Sequence, residues 1–278
     1  MIMKRYIALL IVPSCWLLIS SCYKKFDPHS YMPALSIGGY TSASEVGAGH
    51  LVAYWAFNGS LVDSVSGASG AGTNVSFANG LKGQALQIGS SDSYVVFPNT
   101  SRLAGLQSFT LTLWVNAQQN TTGTGGILSL SDTTNFWGNM DIFFENGSTS
   151  SYGLLKIHVY NNGTDAWLGN YQINNIWGVW THIAITYDAA SSTFKVFVNG
   201  SKIATQTVNN YGAIHFVDMG PLVFGTSQFN TTPSLTSATG SQSWASFLNG
   251  ALDEVRIYDE ALSETDVNAL ARLEGRGK

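Results

Sequence analysis

The sequence predicts an all-β fold in which antiparallel strands form a sandwich or jelly roll. Short runs rich in Val, Ile, Phe, Tyr and Trp recur along the chain, and clusters of Gly, Asn, Asp and Ser separate them. Apolar residues alternate within the clearest runs, so that Phe194, Val196 and Val198 face one side. The predicted strands cover residues 51–57, 84–88, 93–97, 108–116, 126–130, 140–145, 153–160, 166–171, 179–187, 193–199, 202–208, 221–225 and 251–258.

A hairpin turn and a C-terminal helix complete the predicted secondary structure. Asn199-Gly200 stands between two strand-like runs, and this pair favours a type I′ turn because both central residues of that turn take positive φ. A short helix is predicted to begin after Ser263 as N-cap, with Asp266 at its third position and an apolar stripe that ends at Leu273.

The N-terminus has the organisation of a bacterial export signal. Lys4 and Arg5 precede an apolar run over 6–19 that is too short to span a bilayer. The tetrapeptide Ile19-Ser20-Ser21-Cys22 resembles a lipobox, in which the cysteine is acylated; a buried helix with a chance cysteine is the alternative. We therefore expect a signal peptide at 1–21, a flexible tether anchored through Cys22 at 22–49, and one domain at 50–278. The expected location is the bacterial outer membrane, with the lipid-anchored domain exposed at the cell surface.

Charge and cysteine content exclude some partners and bonds. The chain has 13 Lys and Arg against 17 Asp and Glu, and no basic cluster follows Lys24 and Lys25. Nucleic acid is therefore not an expected partner. Cys15 lies inside the predicted signal, so the exported domain would stand without a disulfide.

Several stretches, taken in order, resemble the laminin-G-like jelly rolls of the concanavalin A-like superfamily. The resemblance covers residues 50–272 and implies two antiparallel sheets, one convex and one concave, with binding on the concave face or its bordering loops. This fold serves lectins, adhesion modules and glycosidases, so the function must be argued from the site. The stretches are 51–64 (LVAYWAFNGSLVDS), 80–86 (GLKGQAL), 108–115 (SFTLTLWV), 180–188 (WTHIAITYD) running into 198–200 (VNG), and 248–258 (LNGALDEVRIY).

The resemblance also implies a structural calcium site. In this superfamily an Asp in an Asp-x-Val-Arg-Ile-Tyr strand joins backbone carbonyls and an early acidic or amide side chain to hold the ion. Asp253 stands at that position, and Asn58 and Asp63 are the early candidates. The alternative is that Asp253 pairs with Arg256 or caps a turn.

Catalytic carboxylates are not recognisable in the sequence. Laminarinase-type hydrolases of the superfamily carry Glu-x-Asp-x-x-Glu, and the nearest stretch, 139–145 (NMDIFFE), has Asn139 in place of the nucleophile. Asp141 and Glu145 would lie on one face of a strand about 13 Å apart, beyond the roughly 5–9.5 Å of glycosidase carboxylates. The histidines are scattered, and His182 is expected to be structural. The chain is predicted not to be an enzyme, although a hydrolase or lyase with an unfamiliar site, such as one using Tyr and His, stays open.

Sugar binding is the leading hypothesis. It needs an exposed aromatic ring with amides and carboxylates beside it, and the sequence contains tryptophans with such neighbours outside the strand motifs. Trp114 and Trp180 lie in strand motifs and are expected in the core. A second group of tryptophans lies in less regular stretches and supplies the predicted ligand-binding residues together with two polar neighbours: Trp137, Trp167, Trp177, Trp244, Asn139 and Asp165. The predicted function is a non-catalytic carbohydrate-binding module. The alternative is a protein-binding or adhesion module of the cell envelope.

Overall fold

The computed structural model describes residues 36–120 and 123–278. The predicted signal peptide, Cys22 and the tether up to residue 35 lie outside the described residues. None of the helices in the described part of the chain is long and apolar enough to cross a membrane.

Sheet 1 is an eight-stranded sheet with the order β13-β12-β11-β6-β16-β4-β3, and β1 also pairs with β16. Its strand pairs are antiparallel. The strands are β1 (Leu51–Trp55), β3 (Val75–Asn79), β4 (Gln84–Ile88), β6 (Phe109–Ala117), β11 (Thr181–Asp188), β12 (Thr193–Val198), β13 (Ser201–Thr207) and β16 (Gly250–Tyr258).

Sheet 2 also has eight strands, in the order β10-β9-β8-β7-β14-β5-β2. The short β15 joins β7 in parallel, whereas the other pairs are antiparallel. The strands are β2 (Ala71–Thr73), β5 (Tyr94–Phe97), β7 (Thr124–Asp132), β8 (Met140–Asn146), β9 (Tyr152–Asn161), β10 (Thr164–Asn174), β14 (Met219–Phe224) and β15 (Ala245–Ser246).

One hydrophobic core joins the two sheets. Trp55 of sheet 1 packs edge-on against Phe97 and Phe224 of sheet 2, with ring centroids 5.3 and 5.1 Å apart. The side chains that alternate inward from both sheets fill the same buried cluster. The predicted all-β jelly-roll sandwich is confirmed.

The outer face of sheet 1 is covered by the helix α2 (Glu264–Glu274); the other helix, α1 (Ser101–Ala104), is a single turn. Ser263 caps α2 in a reciprocal capping box with Asp266, as predicted. Beneath α2, Glu274 accepts hydrogen bonds from Trp114 Nε1 (2.8 Å) and Arg256 Nε (2.8 Å). These buried polar groups fix the helix on the sheet.

Residues 36–49, which the sequence predicts to be part of the tether, belong to the folded part. Ile37, Ala43 and Val46 are buried in the cluster that α2 forms on sheet 1. Their backbone makes short 3-10 turns at Ala43–Glu45 and Ala48–His50. Single apolar residues among Gly and Ser produce no periodic pattern, and the sequence therefore conceals this packing.

Each predicted strand run contains a strand, and the predicted hairpin joins β12 to β13 with φ of 50° at Asn199 and 74° at Gly200. The sequence missed β2, β3 and β15. These segments are short, and their residues are exposed or only partly buried.

Candidate functional site

The outer face of sheet 2 carries a row of polar and aromatic side chains. In β8, Ile142 and Phe144 enter the core, so the alternate residues Asp141, Phe143 and Glu145 face outward. The register of β9 places His158 beside Asp141. The same side of the sheet therefore presents carboxylates, an imidazole and an aromatic ring on three neighbouring strands, β8, β9 and β10.

Three tryptophans meet on this face. Trp137, in the loop between β7 and β8, stacks on Phe143 with centroids 5.5 Å apart and an interplanar angle of 8°. Its ring lies 5.2 Å from that of Trp167 and 5.8 Å from that of Trp244. Trp167 is 44% exposed and Trp244 is 38% exposed. We call these three indoles, with the supporting rings of Phe136, Phe143 and Phe229, the aromatic platform.

Buried polar groups hold the loops of the platform. Gln228 is fully buried; its Oε1 accepts from the backbone N–H of Asp132 (2.7 Å), and its Nε2 donates to the carbonyls of Asn135 and Phe136 (2.8 and 3.0 Å). The residues just before Trp137 are thereby tied to the long loop that leads to Trp244. Because both loops are hydrogen-bonded to each other, the indoles are positioned before a ligand arrives.

The backbone of Trp244 lies directly against the start of β7. Its carbonyl accepts from Thr124 N–H (2.8 Å), and β15 begins at the next residue. A Cβ at Gly123, which has φ of 55°, would fall 1.5 Å from the Trp244 carbonyl oxygen. Only glycine permits this approach.

A chain of hydrogen bonds runs beside the platform from β7 to β10. Ser129 Oγ donates to Asp141 Oδ1 (2.6 Å), Asp141 Oδ2 lies 3.2 Å from His158 Nδ1, and His158 Nε2 lies 2.7 Å from Asp165 Oδ1. Gly138 N–H also donates to Asp141 (2.8 Å). His158 is buried, whereas the side chain of Asp165 is 57% exposed. Burial alone lowers the pKa of His158, but the hydrogen bonds and charges of Asp141 and Asp165 outweigh it, so the net pKa is raised.

Two cavities flank an ion pair on the same face. Lys156 Nζ lies 2.8 Å from Glu145 Oε2, between β9 and β8. The first cavity, about 210 Å³, is lined by Lys156, Trp167, Leu168, Gly169 and Asn170. The second, about 400 Å³, is lined by Gly123, Thr124, Glu145, Asn146 and Trp244. Each cavity therefore combines one exposed indole with one member of the ion pair.

Comparison with known families assigns the fold. A model of the concanavalin A-like lectin/glucanases superfamily, of the laminin-G type, matches residues 89–268. The chain belongs to this superfamily. No curated protein sequence matches this concanavalin-like chain significantly.

Solved structures with the same fold include binding domains. Domain 4 of AbnA, an extracellular arabinanase from Geobacillus stearothermophilus, in complex with arabinotriose, is 22% identical with a TM-score of 0.55, and the match covers 80% of this chain and 98% of that one. The binding domain of botulinum neurotoxin D with N-acetylneuraminic acid is 13% identical (TM-score 0.59, covering 83% and 52%). The neurotoxin DC domain with rat synaptotagmin II is 16% identical (TM-score 0.60, covering 82% and 52%). This chain spans about half the length of the neurotoxin domains it matches.

Of the predicted ligand residues, Trp137, Trp167, Trp244 and Asp165 come together in this concanavalin-like domain, and two predictions need correction. Trp177 lies away from the platform; its ring packs on Phe144, a core residue, at 5.8 Å, and its Nε1 donates to a backbone carbonyl. Asn139 is fully buried, and its amide bonds the backbone of Ser131 and Val217. Both side chains therefore have structural roles.

Sequence reasoning missed His158, Lys156 and the supporting Phe rings. It placed Asp141 and Glu145 on one strand face, and they do lie there. Asp141 is bonded to Ser129, Gly138 and His158, and Glu145 pairs with Lys156. Extending the same alternation to β9 would have put Lys156 and His158 on this face.

The predicted calcium ligands divide into two places. Asp253 Oδ2 accepts from Lys82 N–H (3.0 Å) and Asn58 Oδ1 accepts from Gln84 N–H (2.7 Å), so both face the turn between β3 and β4. Asp63 instead bonds the backbone N–H of Tyr54 and of residues 65 and 66. Across the described ranges, no group of three or more His, Cys, Asp or Glu forms a ready metal site.

Asp253 has one carboxylate oxygen that is buried without a partner in the described part of the chain. It is fully buried, and its Oδ1 has no hydrogen-bond partner among residues 36–120 and 123–278. Burial raises its pKa to about 7. Arg256 bonds Glu254 and Glu274 rather than Asp253, so the alternative pairing with Arg256 is not observed. The other alternative is observed, because Asp253 Oδ2 caps the turn between β3 and β4 at Lys82 N–H. An uncompensated buried carboxylate oxygen fits a calcium ion, which prefers hard oxygen ligands.

Proposed function

We propose that the chain is a non-catalytic carbohydrate-binding module held at the bacterial surface. The observation that carries this proposal is the aromatic platform, in which Trp137 joins the two exposed indoles of Trp167 and Trp244. The apolar face of a sugar ring stacks on an exposed indole, and nearby carboxylates and amides bond its hydroxyls. The relatives whose structures contain arabinotriose and N-acetylneuraminic acid support a sugar ligand on this fold.

The two flanking cavities favour an extended glycan over a single terminal sugar. Each contains an exposed indole, and the Lys156–Glu145 pair lies between them. One sugar unit on Trp167 and another on Trp244 would place the connecting units over this ion pair. Binding should therefore strengthen with chain length until the glycan reaches both indoles.

The charges beside the platform favour a neutral glycan. Lys156 is the one cation among the described residues lining the two cavities, and Glu145 neutralises it. Asp165 adds a partly exposed negative charge. An anionic glycan would meet no free positive charge and would be repelled by this carboxylate.

Affinity electrophoresis in gels containing arabinan, xylan, mannan, β-glucan or polygalacturonate tests the proposal. We expect retention by at least one neutral polysaccharide. Trp167→Ala and Trp244→Ala should each weaken binding about tenfold, because each removes one stacking face. Ile203→Ala on sheet 1, whose side chain is as exposed as that of Trp167, is the matched control and should leave retention unchanged. Migration unaffected by every polysaccharide would overturn the proposal.

Anchoring and calcium form part of the same proposal. Acylation of Cys22 would fix the module to the outer membrane; incorporation of labelled fatty acid into the wild-type chain, and its loss in Cys22→Ala, tests this. Asp253 and Asn58, with backbone carbonyls of the 80–84 turn, would hold a calcium ion that ties β16 to the turn before β4. The ion would stabilise the fold and leave sugar contacts to the platform.

A protein ligand is the second candidate, favoured by the relative whose structure contains synaptotagmin II. A flat aromatic surface also suits a protein partner, in which Trp and Tyr anchors dominate binding. Recovery of one stable envelope protein on the wild-type domain, lost in Trp167→Ala, together with no retention in the gels, would favour this candidate over the first.

A further inference from the structure

A third cavity, which is rich in amides, lies on the opposite sheet. It measures about 310 Å³ and is placed on the outer face of sheet 1, outside the part that α2 covers. Its side chains share one property, which is that none of them carries a charge. The lining consists of Asn79, Gln87, Ile88, Asn116, Gln118, Trp180, Asn249, Gly250 and Ala251.

The strand register explains why these residues converge. Gln87 of β4 pairs with Ala251 of β16, and Ala251 pairs with Asn116 of β6. The neighbours of Gln87 and Asn116 along their strands point into the core, so these two amides point outward. Trp180 precedes the Thr181–Val115 pair and continues the same row. It is only partly buried and lines the cavity, so the expectation that it lies in the core is wrong. The small Ala251 side chain leaves the space between the amides open.

The amides in this row are available to a ligand. The side chains of Gln87, Asn116, Asn79 and Gln118 make no hydrogen bond to any other residue within 36–120 and 123–278, although Gln87 and Asn116 are half-buried. Other amides of this domain, such as Gln228 and Asn161, are bonded to backbone groups on two or more sides. The four unbonded amides of the cavity therefore do not hold backbone segments together, as Gln228 and Asn161 do.

We propose that this amide cavity is a second binding site, and that its ligand is a small neutral sugar. A carboxamide both donates and accepts hydrogen bonds, as a sugar hydroxyl does, so a ring of amides matches a polyhydroxylated ring. Trp180 supplies an apolar face beside them. The absence of ionisable lining groups within the described ranges gives a charged ligand no partner and makes binding independent of pH.

Two sites on opposite faces of one domain have a consequence for the whole module. A polysaccharide bound on the platform of sheet 2 and a sugar bound on sheet 1 cannot belong to the same short segment. The domain would then engage two chains, or two distant parts of one chain, and gain avidity on a dense glycan surface.

The test isolates the cavity from the platform. The full chain carrying both Trp167→Ala and Trp244→Ala is titrated with glucose, galactose, mannose, xylose, arabinose and N-acetylglucosamine, and with N-acetylneuraminic acid as the charged probe. The readouts are the indole N–H resonance of Trp180 and the side-chain amide resonances of Gln87 and Asn116. We expect saturable shifts with at least one neutral sugar, equal at pH 6 and pH 8, and none with the acid.

Blocking the cavity should remove these shifts. Ala251→Leu fills the space between the amides, and Asn116→Ala removes one of them; each should weaken binding about tenfold or more. Ser76→Ala, in the next position of the same strand row but outside the cavity lining, is the matched control. The same substitutions placed in a chain with an intact platform report on folding, because platform binding and melting temperature should persist there.

Two results would overturn the inference. One is that no neutral sugar shifts the Trp180 and amide resonances, and the other is that Ala251→Leu leaves the shifts intact. Neither result bears on the platform, whose sugar binding is measured separately in gels with the wild-type chain.

Discussion

His182 offers a prediction whose size follows from its surroundings. Its side chain is fully buried on the face of sheet 1 that α2 covers, with its ring 5.3 Å from that of Trp114. Neither ring nitrogen has a hydrogen-bond partner in the part of the chain that the structure describes. Burial lowers the pKa of His182 to about 3. The folded protein therefore keeps this imidazole neutral where an unfolded chain would protonate it.

The cost appears as the solution is acidified. An unfolded histidine titrates near pH 6.5. Below that pH the unfolded chain binds a proton at His182 that the folded chain does not bind, so the free energy of unfolding falls as the pH moves toward 3. At pH 4.5 the two pH units below 6.5 correspond to about 2.7 kcal/mol, at roughly 1.36 kcal/mol per unit. Each of the two unpaired nitrogens adds a pH-independent cost of about 1–3 kcal/mol.

Urea unfolding of the wild type and of His182→Leu at pH 8 and pH 4.5 measures both quantities. The variant should be at least as stable as the wild type at pH 8 and should gain about 2.7 kcal/mol more at pH 4.5. Asp253 and Glu274, whose pKa values burial raises to about 7, titrate in both proteins and cancel in the difference.

Thr112→Val is the matched control for this experiment. Thr112 of β6 pairs with Ala184, which lies two residues after His182 on β11. The buried hydroxyl of Thr112 also lacks a partner within the described ranges, but a hydroxyl does not titrate in this pH range. Its substitution should change stability by the same amount at both pH values. If His182→Leu behaves in the same pH-independent way, the argument from the buried imidazole is wrong.

Three further predictions concern the site and the turn beside it. Sugar affinity on the platform should fall as the pH rises above 6.5 through the raised pKa of His158, because a neutral imidazole has one N–H, which it keeps for buried Asp141 while Asp165 is released. Calorimetric titration at pH 6 and pH 9 tests this, and Asp165→Asn should flatten the pH dependence. Gln228→Met should lower the unfolding free energy by about 2–4 kcal/mol and weaken gel retention, since it leaves buried backbone groups unpaired. Equal retention of the variant and the wild type would show that Gln228 does not position the indoles. Calcium at a hundred times its dissociation constant should stabilise the wild type by about 2.7 kcal/mol in a thermal melt and should not stabilise Asp253→Asn. Equal stabilisation of the two proteins by calcium would exclude Asp253 as a ligand.

The sequence predicts strands well where both faces of a strand are constrained. Runs such as Phe194-Lys195-Val196-Phe197-Val198 alternate or cluster apolar residues because the sandwich buries them. β3 escapes prediction because only Val75 and Phe77 pack against the core while its other residues meet solvent. The packing of Ile37 and Val46 escapes for a related reason, since it depends on α2, which lies more than 200 residues later in the chain.

The site is less predictable because it depends on register and on long loops. Trp177 and Trp167 both stand next to or near glycine, Trp177 in a loop and Trp167 in β10, yet Trp177 packs on a core ring and Trp167 joins the platform. The local sequence does not show which of the two indoles contacts the other platform rings. His158 meets Asp141 only because β8 and β9 pair in one particular register, and a shift of one residue would turn its ring into the core.

The two outer faces of the sandwich treat their polar groups differently, and this difference bears on where a ligand can bind. On sheet 1 beneath α2, Glu274 bonds both Arg256 and Trp114 out of reach of solvent, so these polar groups are not accessible to a ligand. On sheet 2 the corresponding chain from Ser129 ends at Asp165, whose side chain is 57% exposed. Because this hydrogen-bond chain is fixed at its buried end, it orients the carboxylate of Asp165 and still leaves that carboxylate able to accept a hydrogen bond from a ligand. A sugar hydroxyl that binds there meets an acceptor whose conformational entropy is already reduced, which is the condition under which a shallow aromatic surface gains useful affinity.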